Sequence, residues 1–422
     1  MKKIANTLKN GLRVQLIPLK GTRTVTVLVL FGTGSKYETK KINGLSHFLE
    51  HLFFKGTKKR PTTKLLTEEL DKVGAVYNAF TGKEETGYWI KMDASHLELA
   101  LDITSDMLLN ALFDAKEIER EKGVIIEEIN MYRDLPISYV PEIFEELIYG
   151  NTPAGWDIAG EPNLIKKMTK KQILEYRERQ YVASNAVVTI AGNINPKTAG
   201  KLVEKYYKKF KAGTADGKKE VTEVQKKPQV KIKYKKTDQT HIVLGCRAYK
   251  RTHKDRYTLE VLATILGGNM SSRLFINVRE RLGIAYYIRA GVEDYTDHGY
   301  LAVAGGIQKR STEIAIKTIL KELRDLKNKR VSVKELSKAK EYLKGKTQIA
   351  LEASHAVANY WAEQEILDNK TTSVQNLFKN IDKVTPADIQ RVAKVVFKND
   401  KLNLAMIGDE KSESKFEKIL KI

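Results

Sequence analysis

Two histidines and a glutamate fall within five positions of the stretch GLSHFLEHLFFKG, residues 44–56: His47, Glu50 and His51. On a helix His47 and His51 stand at i and i+4, offset by about 40° with a rise of about 6 Å, so both imidazoles can converge on one ion. Glu50, at i+3 from His47, shares their side and is placed to take up a proton. Leu45, Phe48, Leu49 and Leu52 fill the other side. The expected helix is apolar on one face and metal-ready on the other, with neither face solvated. Zinc with an open catalytic position takes three protein ligands, so a third must come from elsewhere.

The run EREKGVIIEEINMY offers it. At helical spacing Ile118, Glu121, Ile125, Glu128, Ile129 and Tyr132 share one stripe. Glu121 and Glu128 therefore stand where buried apolar residues belong, and a buried carboxylate needs a cation or a donor. Glu128 is assigned as the third ligand, and Glu121 as the carboxylate that holds the site or a ligand imidazole in place. Glu127 is turned about 100° away, toward solvent. His96, His241, His253, His298 and His355 are scattered and read as surface or packed residues. Cys246 is the only cysteine, which excludes an intramolecular disulfide and a cysteine metal cluster.

The elements that must position these residues follow from periodicity. Residues 12–18 and 23–31 (TVTVLVLF) have the β-branched content of strands. Asn43 or Gly44 opens the site helix and Gly56 closes it. TTKLLTEELDKVG reads as a helix, AVYNAF and TGYWIKM as strands, and ASHLELALDITSDMLLNALF as an amphipathic helix; a further helix runs from near Asp114 to about Asp134. Periodicity then vanishes in KAGTADGKKEVTEVQKKP, a linker. Strand, long helix, break and a second helix recur on its far side, roughly 210 residues on. The expected fold is α+β: two homologous domains, 1–210 and 228–422, each an antiparallel or mixed sheet with helices mainly on one face, joined by the linker 211–227. The second domain lacks a counterpart of the metal residues; the equivalent piece, DRYTLEVLATILGG, is apolar.

At 422 residues the chain needs more than one core, and its 42% apolar content suffices to build them. The net charge of +22 is mostly lysine spread along the chain, which favours solubility and acidic partners. No aromatic-basic pattern or recognition helix is present, so nucleic acid is not an expected partner. Met1-Lys2-Lys3 begins like a signal peptide, but no apolar segment follows, and no window approaches 18 apolar residues. A soluble, cytoplasmic protein without membrane contact is expected.

HFLEH at 47–51 is the His-x-x-Glu-His signature. With Glu121 and Glu128 at Glu-x6-Glu spacing and Glu128 77 positions beyond His51, it resembles the pitrilysin/insulinase (inverzincin) family of zinc metallopeptidases, which includes the mitochondrial processing peptidases. GAVYNAFTGKEETGYW and GGNMSSRLFINVRERLGIAYYI resemble family segments too, so the likeness spans the whole chain. Its length is similar to that of the short bacterial branch, whose members pair two chains around a chamber. The resemblance implies one Zn2+ per chain on His47, His51 and Glu128, with Glu50 as general base and Glu121 as auxiliary carboxylate. It implies that Arg279 and Tyr286 contact substrate, and that Asn78, Ala79 and Phe80 bind the backbone of a peptide added as an extra strand. A homodimeric zinc metalloendopeptidase acting on short or unfolded peptides is the function implied. The alternatives are a specific processing peptidase and a non-catalytic partner or scaffold subunit of the same fold.

Overall fold

The computed structural model describes residues 2–222, 224–368 and 370–422. The chain forms two compact units, one of Met1–Asn130, Asp157–Lys219 and Gln348–Ser373, the other of Met131–Trp156, Glu220–Thr347 and Val374–Ile422.

The first unit is built on six strands: β1 (Ile4–Thr7), β2 (Arg13–Pro18), β3 (Thr24–Phe31), β4 (Val76–Thr81), β5 (Thr86–Asp93) and β6 (Ala186–Gly192), in the order β1-β2-β6-β3-β5-β4. β2 and β6 run parallel and the other pairs antiparallel. β3 is buried along nearly its whole length, because both faces of the sheet are covered. Most helices lie on one face, where Leu45, Phe48, Leu49, Leu101 and Ile125 join the core. A single helix, Ser354–Glu363, packs Val357, Ala358 and Trp361 on the other face, against Leu28, Leu30 and Val187.

The second unit repeats the plan with five strands: β7 (Gln229–Tyr234), β8 (Gln239–Arg247), β9 (Ala285–Asp294), β10 (Gly299–Gln308) and β11 (Leu402–Gly408), in the order β7-β11-β8-β10-β9. Its apolar helix Arg256–Gly267 is the counterpart of the site helix, and nine of its twelve residues are buried. Burial pushes the Cys246 thiol on β8 up to about 12, which keeps it inert.

All strands of the first sheet precede the linker and all strands of the second follow it, but two helices cross the expected 1–210/228–422 boundary. Helix Pro136–Tyr149 covers the second sheet through Val140, Ile143 and Phe144 against Val243 and Ala405. Helix Ser354–Glu363 covers the first. Each half of the chain lends one helix to the other half's sheet, a pairing that amphipathic periodicity cannot specify.

Candidate metal centre

The site helix, Leu45–Leu52, is fixed at both ends by backbone that only glycine fits well. Gly44 has φ +96°, and a Cβ there would lie 2.5 Å from the Ala159 carbonyl oxygen; Gly56 has φ +121°, with Pro61 O 2.4 Å from a Cβ. No side chain on the helix caps its start. Instead Glu38, buried in the loop before it, accepts hydrogen bonds from the backbone N–H of Gly44 (2.8 Å) and Ser46 (2.6 Å) and from the Asn43 amide (3.2 Å). A carboxylate at a helix N-terminus also meets the favourable end of the helix dipole. Ser46 Oγ is tied to the Tyr176 hydroxyl at 2.8 Å, and that hydroxyl to Thr33 Oγ1 at 2.9 Å. The helix can thus bury Leu45, Phe48, Leu49 and Leu52 while His47, Glu50 and His51 stay partly accessible.

Helix Ala115–Asp134, begun by Asp114 Oδ1 accepting from the Lys116 N–H at 2.8 Å, brings the acidic partners. Glu128 Oε2 lies 3.7 Å from His47 Nε2 and 3.4 Å from His51 Nε2. One donor atom from each of the three residues falls within 4.8 Å of the others. Tetrahedral zinc with bonds near 2.1 Å separates its ligands by about 3.4 Å, so two imidazoles and a carboxylate at these spacings fit the ion. Behind them Glu121 Oε2 is 3.1 Å from His51 Nδ1, and its other oxygen takes Lys55 Nζ at 2.8 Å. The hydrogen bond to Nδ1 leaves Nε2 of His51 for the ion.

The stripe read from sequence divides in the structure. Glu121, Ile125 and Ile129 are buried, whereas the Glu128 side chain is 26% exposed and Tyr132 lies outside the core. The helix runs out of the core at its C-terminal end, so Glu128 keeps partial access to solvent.

The electrostatics follow the packing. Burial lowers the His47 pKa and the neighbouring His51 adds to this, against the pull of Glu128; the ring is held neutral, the form that ligates. Burial also opposes charge on His51, but hydrogen bonds to Glu121 and Glu128 outweigh it and raise its pKa to about 9. Glu121 and Glu128 are both held below the usual carboxylate range. For Glu121 burial pushes upward, but His51 and Lys55 overcome it; for Glu128 the hydrogen bond to His51 dominates. Glu50 moves the opposite way. Burial raises its pKa, against a hydrogen bond from Thr81 Oγ1 to Oε2 at 2.6 Å. A carboxylate poised upward is suited to accept a proton near neutral pH.

Thr81 ends β4, an edge strand whose Asn78 and Ala79 pair with Trp89 and Tyr88 of β5; its other side has no strand partner among the described residues. Asn78 is exposed, Ala79 buried and Phe80 half-buried. Thr81 escaped the sequence reading although it directly follows Phe80, and Glu38 escaped it as well. The structure therefore gathers His47, Glu50, His51, Glu121 and Glu128 into one cluster, with β4 alongside. Arg279 and Tyr286 belong to the second unit. Arg279 lies in a π-helical turn, Phe275–Arg281, with its guanidinium 4.7 Å from the Phe275 ring centre, and Tyr286 stands on β9, 75% exposed.

The profile of insulinase (peptidase family M16) matches residues 13–161, the part that holds the cluster, and that of the peptidase M16 inactive domain matches residues 167–343. The chain belongs to peptidase family M16. Among M16 relatives, the uncharacterized zinc protease YmxG of Bacillus subtilis is 34% identical over 93% of this chain and 95% of its own. An uncharacterized zinc protease of Streptomyces coelicolor is 31% identical over 96% of this chain and 90% of its own. The crystal structure of a protease from Helicobacter pylori superposes with a TM-score of 0.91 at 26% identity, covering 96% of this M16 chain and 99% of that one. No helix among the described residues is long and apolar enough to cross a membrane.

Proposed function

We propose that the protein is a zinc-dependent endopeptidase that cuts short or unfolded peptides. The observation that carries this reading is the convergence of His47 Nε2, His51 Nε2 and Glu128 Oε2, beside a Glu50 carboxylate that none of the three ligands needs. When bound, zinc supplies Lewis-acid polarisation of the scissile carbonyl and activation of water. Glu50 takes the proton released by the attacking water and returns it to the leaving amine. Thr81 aims that carboxylate, and Glu121 fixes the tautomer and orientation of His51. The free edge of β4 at Asn78–Phe80 takes the peptide as an added strand, so main-chain bonds give affinity with limited sequence reading. Arg279 and Tyr286 donate hydrogen bonds to the substrate. The working form is a homodimer in the cytoplasm.

The test is metal analysis followed by cleavage of a mixed peptide pool. One zinc per chain and chelator-sensitive cuts at many sites are expected. Protein that cleaves equally well after complete metal removal would overturn the reading, and a few cuts at one shared motif would replace general degradation with specific processing.

A further inference from the structure

The segment that joins the two halves forms no helix or strand among its described residues, but its first part is strapped to the first unit. Ala183 N–H donates to Lys211 O at 2.8 Å, Ser184 Oγ to Gly213 O, and the Gln180 amide to Asp216 O at 3.3 Å. Two residues further on, Lys218 Nζ reaches Glu84 Oε1 at 2.8 Å, and Lys36 Nζ meets the same oxygen at 2.8 Å. The three side chains are 13%, 1% and 0% exposed, respectively for Lys218, Glu84 and Lys36. A surface lysine bridge contributes little; a carboxylate buried between two ammonium groups is held firmly, and removing one partner is felt by the others. Burial pushes the Glu84 pKa up, but Lys36 and Lys218 together bring it below the usual range.

Glu84 belongs to the turn joining β4 to β5. The same turn is bolted to the loop before the site helix: Ser35 N–H donates to Gly82 O at 3.2 Å and Lys36 N–H to Lys83 O at 2.9 Å. The approach is so close that a Cβ on Gly34 would lie 2.3 Å from Gly82 O. Thr81, which enters this turn, carries the hydroxyl that binds Glu50. Contacts therefore run without interruption from Lys218 through Glu84 and the turn to Thr81 and Glu50. The chain passes to the second unit directly after Lys219.

We propose that Lys218 is a positioning residue for the peptidase reaction: its ammonium completes the buried Lys36–Glu84 pair and so fixes the turn that presents Thr81 to Glu50. The proposal rests on the peptidase reading above. It makes the junction between the units part of the apparatus that aims the general base, because a chain displaced at 218 withdraws a charge from Glu84.

The test compares Lys218→Met and Lys218→Arg in the full-length, zinc-loaded protein. Lys218→Met is expected to lower kcat about tenfold, since small misplacement of a catalytic group is costly, with KM held within about twofold. Zinc stoichiometry is expected to stay at the wild-type value, amide exchange over 81–86 to quicken, and Lys218→Arg to restore both kcat and protection. A wild-type kcat in Lys218→Met, an arginine variant as impaired as the methionine one, or a loss confined to zinc content or KM would each overturn the proposal. Should Lys218→Met fail to fold, Lys218→Gln carries the same expectations. Amide exchange needs no activity. If the wild type cleaves nothing, the peptidase reading fails, while unchanged exchange over 81–86 still refutes the Lys218 link and faster exchange still supports it.

Discussion

Replacing Glu121 with glutamine puts the support behind the metal ligands to a quantitative test. In the wild type one oxygen of Glu121 binds His51 Nδ1 at 3.1 Å and the other binds Lys55 at 2.8 Å. A glutamine can accept from one of them but presents an N–H to the other. Loss of such a supporting carboxylate costs about 10- to 100-fold in intrinsic metal affinity, or about 1.4–2.8 kcal/mol. A second effect opposes it. Without metal His51 holds a proton up to about pH 9, largely through Glu121 and Glu128. At pH 7 an entering ion must displace that proton, at a cost of roughly 3 kcal/mol. Glu121→Gln weakens the proton's hold as well as the metal's. The deficit in apparent affinity should therefore be small at pH 7 and grow toward the full factor above pH 9. Competition against a chromophoric chelator from pH 6.5 to 9.5 reads this directly, and calorimetry in buffers of different ionisation enthalpy should show fewer protons released by the variant at pH 7. A deficit that shrinks as pH rises, or an affinity equal to wild type above pH 9, would refute the reasoning.

Three further outcomes are expected. Thr81→Val removes a bond that holds the Glu50 pKa down, so the acid limb of kcat/KM should move to higher pH while kcat falls about tenfold, and Thr81→Ser should restore both; an unmoved limb contradicts the role given to Thr81. Burial raises Glu38 from 4.5 to about 7 against its hydrogen bonds, so its contribution to stability is fully present below pH 4.5 and is lost as pH rises through 7. Urea titrations should show the stability gap between wild type and Glu38→Gln change by roughly 2–3 kcal/mol between pH 5 and pH 8, to the wild type's disadvantage at high pH; the opposite sign would mean that its hydrogen bonds outweigh burial. Specific activity should fall on dilution and return on concentration if a second chain completes the working enzyme, whereas constant activity at all concentrations would rule the dimer out.

The parts of the site legible in the sequence are those set by local spacing. His47, Glu50 and His51 share a helical side whatever the tertiary fold. Glu121 and Glu128, two turns apart, stood out because Ile118, Ile125 and Ile129 mark the buried side of their helix. Thr81 carried no such signal: its contact with Glu50 depends on the register of β4 on β5 and on where the site helix lies. Glu38 is hidden for a similar reason, since it caps the helix from a loop whose course is set by Gly44 and by contacts with 157–160. Lys218 sits in a stretch that composition reads as featureless, and its role appears only when the turn holding Glu84 is in place. The strands and the repeat were readable from β-branched runs and recurring order. The exchange of helices Pro136–Tyr149 and Ser354–Glu363 was not, because an amphipathic pattern shows that a helix has an apolar face without naming the sheet it covers.

In the proposed reaction His47, His51 and Glu128 hold a metal while Glu50 performs the proton transfer. Metal content and peptide cleavage measured side by side for wild type and Glu50→Gln test it most directly. Equal zinc in both proteins and loss of nearly all cleavage in the variant are expected. Undiminished cleavage by Glu50→Gln at full zinc occupancy would contradict it.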